Sequence, residues 1–145
     1  MHARLRQRLL RINAIFLGGF GLLGLAVLDV PAACCRTGAA ATIVGGAPSS
    51  AIGFIEAHGL AVILAALLFH ASLRVPDRSW HVAASATHLL LGTANIVFRD
   101  LFVIGDVVWV GWLTTVLHFV FAIAETVAAV TVSARGVPGP VNQAD

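Results

Sequence analysis

Apolar residues fall into four long runs along this chain, Ile12 to Leu28, Ala51 to Leu73, His81 to Phe98 and Val107 to Val132, separated by short polar or turn-forming stretches. Each run approaches or exceeds the ~20 residues a helix needs to cross ~30 Å of hydrocarbon. The pattern therefore predicts an all-α protein, an integral membrane four-helix bundle. Asp29 and Pro31 are expected to close the first helix. Pro48, Ser49 and Ser50 precede the second, with a serine available as N-cap. Val75, Pro76 and Asp77 break the chain before the third, and Gly105 with Asp106 turns it before the fourth. From 133 to 145 the residues Gly136, Pro138, Gly139 and Pro140 read as a flexible tail. No linker separates two cores, so a single domain is expected.

Composition narrows the class further. Of 145 residues, 59% are hydrophobic and 11% charged, where soluble domains carry roughly 25% charged residues. A water-soluble fold is excluded on that ground, and a net charge of +2 is too small to argue for a nucleic-acid partner. The expected partners are the lipid bilayer and either a second copy of the chain or another membrane protein.

The arginines set the expected topology, because basic residues near helix ends stay on the cytoplasmic side. With the N-terminus inside, Arg4, Arg6, Arg8, Arg11, Arg74, Arg78 and Arg135 are cytoplasmic, and Arg36 and Arg99 lie outside. The reverse orientation misplaces most of them. Both termini are thus expected inside a cell inner (plasma) membrane. Trp80, Trp109 and Trp112 fall at span ends, where amphipathic rings are favoured. An arginine-rich start followed by an apolar run and Ala32-Ala33-Cys34 also has the outline of a cleaved signal. The run is longer than such signals usually are and Pro31 is poorly placed, so a retained helix is the reading adopted.

Small residues mark close packing. Gly53, Ala57, Ala61 and Ala65 form a stripe on the second helix, and Ala14, Gly18, Gly21 and Gly24 line the first. The glycines lack the following Lys-Ser/Thr of a phosphate loop.

Polar residues inside the runs carry the candidate chemistry, since an ionisable group in hydrocarbon is costly and tends to face the interior. Seven residues turn a helix through about two full turns, so residues at that spacing share a face. His81, His88 and Asn95 have this spacing in the third run, and Gly111, His118 and Glu125 in the fourth. Glu56, Ile63 and His70 repeat it in the second. Counted from the run ends, His118 lies ~16 Å below the outer boundary and His88 ~10 Å above the inner one, so the two can meet near the midplane.

Glu56, His58, Asn95 and Arg99 are expected to gather at the outer end with Asp100 and Asp29. The ligand-binding or polar-core set is Glu56, His58, His88, Asn95, His118 and Glu125. Facing imidazoles at His88 and His118 are also able to ligate haem or a transition metal, and Glu–His chains can pass protons. The bland alternative is that these groups hydrogen-bond between helices and fix packing. Arg99 with Asp100 reads more simply as a solvated pair. Cys34 and Cys35 are adjacent, which makes no disulfide framework; a soft-metal role is the alternative to simple tolerance. There is no CxxCH, HExxH or GxSxG, and no catalytic residue is assigned.

The segments Arg11-Ile12-Asn13-Ala14, Glu56-Ala57-His58-Gly59-Leu60-Ala61 and His88-Leu89-Leu90-Leu91-Gly92-Thr93-Ala94-Asn95 resemble those of small, uncharacterised four-helix bacterial membrane proteins. The general layout is similar to DoxX-like proteins. That resemblance covers the four runs and implies a four-helix inner-membrane protein, without carrying over any site residue. The expected function is a non-enzymatic membrane protein whose His/Glu/Asn interior binds a small ligand or stabilises a partner complex. The alternatives are a redox or proton-handling protein and an oligomeric transporter or channel.

Overall fold

The computed structural model describes residues 3–46 and 49–133. The expected stop at Pro48 and the tail from 134 onward, with Arg135, lie outside them. The described residues form helices and turns with no strand: α1 (Ala3–Leu23), a π-helical segment (Gly24–Asp29), α2 (Val30–Cys35), α3 (Ala41–Gly46), α4 (Ser50–Ser72), α5 (Arg78–Val97), α6 (Arg99–Ile104) and α7 (Val108–Ser133).

Among the described residues three helices are long and apolar enough to cross a membrane: Ala3–Cys35, Ser50–Ser72 and Val108–Thr131. The expected third span, α5, is not among them. Its 20 residues give about the 30 Å required, so length is not what separates it. It carries two wholly buried imidazoles, His81 and His88, with Ser85 and Asn95 part-buried, which lowers its apolarity.

The first helix departs from expectation at Pro31. Proline lacks an N–H and crowds the carbonyl four residues back, which ends or kinks an α-helix. Here the chain instead widens into the π-helical turn, where the Val30 N–H reaches back to the Leu25 carbonyl, and α2 continues with Pro31 in its first turn. The stop comes later, at Arg36, whose φ of 54° is left-handed. Ser49 occupies the N-cap position of α4 but makes no side-chain capping bond.

The four long helices pack as two close pairs, the α1 helix along α4 and α5 along α7, with sparse backbone approach between the pairs. Glycine permits both close pairings. A Cβ at Gly18 would sit 3.2 Å from Ala65 Cβ, and one at Gly92 would lie 3.1 Å from the Phe119 ring. Leu10, Ala14 and Leu17 of α1 form the main apolar core with Ala65, Leu68 and Ala71 of α4 and Ala84 of α5. At the far end Ala32, Ala40 and Val44 make a smaller cluster with Phe54.

Candidate functional site

Between the two helix pairs runs an unbroken chain of buried polar side chains. Arg6 Nε donates to His81 Nε2 at 3.3 Å, and His81 Nδ1 donates to Glu125 Oε2 at 2.5 Å. Asn13 Nδ2 donates to the other carboxylate oxygen at 2.9 Å. His88 Nε2 meets Asn13 Oδ1 at 2.7 Å, and His88 Nδ1 meets His118 Nδ1 at 2.8 Å. Asn13, His81, His88 and Glu125 are wholly buried, while Arg6 and His118 each keep 8% of their surface.

Helical spacing builds this chain. Arg6 and Asn13, His81 and His88, and His118 and Glu125 are each two turns apart on one helix face. The α1 and α5 partners keep a constant separation of 75 residues in both of their contacts, so the two helices run parallel and in register. Helix α7 runs antiparallel to them, and Glu125 therefore meets the first level and His118 the second.

The ends dictate the proton arrangement. Asn13 donates to Glu125, so its carbonyl oxygen faces His88 and His88 Nε2 must carry a proton. His88 Nδ1 is then an acceptor, and His118 Nδ1 donates to it. With Arg6 donating to His81 Nε2, His81 carries its proton on Nδ1. One neutral imidazole, His81, thus connects a buried cation, Arg6, to a buried anion, Glu125, whose two oxygens are both satisfied, while His88 and His118 extend the chain beyond Asn13. Buried charges persist only when paired and hydrogen-bonded in this way.

Aromatic rings close the chain at its His118 end. Phe121 stacks on His88 with centroids 5.0 Å apart, and Phe16 meets His118 edge-on at 5.5 Å. Both ring nitrogens of His88 are committed to protein partners, which leaves it no lone pair for a metal in this arrangement. Among the described residues no group of three or more His, Cys, Asp or Glu is placed to hold a metal ion.

The remaining candidates lie elsewhere, and the expected outer cluster of Glu56, His58, Asn95 and Arg99 is not assembled. His58 bonds Asp29 at 2.7 Å, its ring lying against Gly24, where an added Cβ would approach within 2.5 Å. Asn95 donates to Thr114 Oγ1 at 3.1 Å beside a cavity of about 40 Å³ that Arg99, Trp112 and Thr115 also line. That is water-sized space, well below the ~300 Å³ of a small-molecule pocket. Arg99 sits over the Trp112 ring. Glu56, Arg99 and Asp100 are exposed, as are Cys34 and Cys35.

Three members of the chain, Arg6, Asn13 and His81, are not among the expected site residues; His81, beside Trp80, reads from the sequence as an interfacial residue. Arg6 had been counted only as a topology marker. The signal that finds Arg6 and Asn13 is the same two-turn spacing that relates His81 to His88 and His118 to Glu125. Comparison with protein-family models, with curated proteins and with solved structures finds no match for this chain.

Proposed function

We propose that this is a non-enzymatic integral membrane protein, a four-helix bundle with both termini cytoplasmic, whose buried polar chain locks two helix pairs into one rigid body that stabilises a membrane partner complex. The observation that carries this reading is that, among the described residues, α1 makes three side-chain hydrogen bonds between the pairs, linking Arg6 and Asn13 to α5 and Asn13 to α7. The chain consumes the polar groups that a small ligand would need. In α5 those same groups face inward, which lets a helix of lower apolarity cross beside the other three. The arginine distribution supports the orientation.

The test is a distance measurement between spin labels at the exposed positions Leu60 on α4 and Leu90 on α5, with Cys34 and Cys35 replaced by serine. One narrow distance is expected in bilayers. Glu125→Leu should broaden it; an unchanged narrow distribution in that variant would remove the locking role.

A proton-handling reading draws support from the length of the chain. Against it stands Asn13, whose amide passes a proton only through its unfavourable imidic-acid form, so hydrogen bonding is continuous where proton hopping is not. Proton uptake by proteoliposomes that is lost in His118→Leu would favour this second reading over the first.

A further inference from the structure

The polar chain has a loose end. Arg6 spends its Nε on His81, but its Nη2 is buried and has no hydrogen-bond partner. An unpaired guanidinium nitrogen under a protein surface is expensive, and the group it lacks is an acceptor, best an anion with paired oxygens. Arg6 keeps 8% of its surface and stands near the start of α1.

The surroundings favour an anion. Arg4, Arg8 and Arg11 on the same helix are exposed, and so is Arg74. Gln7 Nε2 donates to the Arg74 carbonyl at 2.8 Å, which ties the start of α1 to the turn after α4 and brings that arginine to the same end. Asp77 is the acidic residue of that turn. The apolar stretch of α1 begins immediately after these arginines, which puts Arg6 at the depth of lipid headgroups in any bilayer the helix crosses.

We propose that Arg6 holds the phosphate of an anionic phospholipid headgroup, which supplies the acceptor its Nη2 lacks while Nε keeps the buried chain in place. The exposed arginines attract such lipids, and Arg6 selects one. Through Arg6 the bound lipid braces His81 and Glu125, coupling lipid composition to the rigidity of the helix interface. The site rests on α1 crossing a bilayer, whichever side its N-terminus faces.

The experiment uses full-length protein in phosphatidylcholine nanodiscs, with thermal unfolding followed as phosphatidylglycerol replaces part of the lipid. The wild type should show a saturable rise in unfolding temperature. Arg6→Gln should need at least tenfold more phosphatidylglycerol for the same rise. The Arg4→Gln/Arg8→Gln double variant should keep a saturable rise that is weaker and more salt-sensitive. Gly24→Ala, which crowds the His58 ring outside the Arg6 chain, should start lower and keep the rise, so that destabilisation alone is not mistaken for lost binding. Arg6→Lys, with charge but no fork, covers the case in which Arg6→Gln does not fold, and should also lose the rise. An Arg6 variant that inserts in the bilayer and responds like wild type would overturn the site alone and leave the membrane reading standing. A rise abolished in the Arg4/Arg8 variant would reduce it to diffuse attraction. A rise produced by inorganic phosphate in pure phosphatidylcholine discs would overturn the lipid assignment.

Discussion

Two carboxylate–imidazole pairs lie among the described residues, and they differ in everything but their chemistry. Glu125 and His81 are 2.5 Å apart and wholly buried, and the second carboxylate oxygen accepts from Asn13. Asp29 and His58 are 2.7 Å apart, the imidazole keeps 29% of its side-chain surface, and the second oxygen, Asp29 Oδ1, is buried without a partner. The inner pair belongs to a chain that crosses between helix pairs; the outer one stays within a single pair, clamping the π-helical segment to α4. The same two functional groups therefore fix global association in one place and local shape in the other, according to what the remaining oxygen touches.

Breaking the inner pair should have the largest effect. Glu125→Leu leaves Arg6 charged and two donors unmet, and should cost roughly 3–5 kcal/mol, read by reversible unfolding in bicelles. Asn13→Leu removes one partner each from Glu125 and His88 and should cost about 1–3 kcal/mol. A double-mutant cycle with Glu125→Leu should give strong non-additivity, because the two side chains touch. At the outer pair, Gly24→Ala drives a methyl into the His58 ring and should cost about 1–3 kcal/mol by overpacking, detected as loss of protection of the π-helical amides in hydrogen exchange.

The amide substitutions sharpen the contrast. At Glu125 both oxygens face donors, so Glu125→Gln turns an NH2 against an N–H and should be clearly destabilising. At Asp29 the amide can keep its oxygen toward His58 and place NH2 where the second oxygen had no partner, so Asp29→Asn should cost under ~1 kcal/mol. Equal losses in the two variants would erase the distinction. The smallest effect is expected at Glu56, exposed on α4: Glu56→Leu should change stability by no more than about 0.5 kcal/mol.

The long helices were legible from the apolar runs, and the ends at Leu73 and Val107 fall within a residue or so of the observed ones, whereas the first helix begins at Ala3, nine residues before its apolar run, because its arginine-rich start is helical as well. Three of the six members of the polar chain, His88, His118 and Glu125, were legible as site residues, and His81 shares the spacing of His88 although it reads as interfacial beside Trp80. Spacing does not say which way that face points. Glu56, Ile63 and His70 follow the same rule on α4 and are all exposed, because α4 turns its other side, with Ala65 and Leu68, toward α1. Arg6 escaped notice for a different reason: an arginine in a first turn satisfies the topology rule so fully that no interior role is sought for it. The Pro31 stop failed because a single widened turn absorbs the proline without ending the helix.

The long sequence separation within the polar chain has a consequence for biogenesis. Asn13 and Glu125 stand 112 residues apart, so at roughly 5–20 residues per second the first helix waits on the order of 5–20 s for its carboxylate to be made. During that interval the N-terminal hairpin of α1 and α4 carries an amide with no mate, and only arrival of the C-terminal hairpin completes it. Assembly is thereby timed: the early half inserts on apolarity alone, and the late half is recognised by the hydrogen bonds it brings.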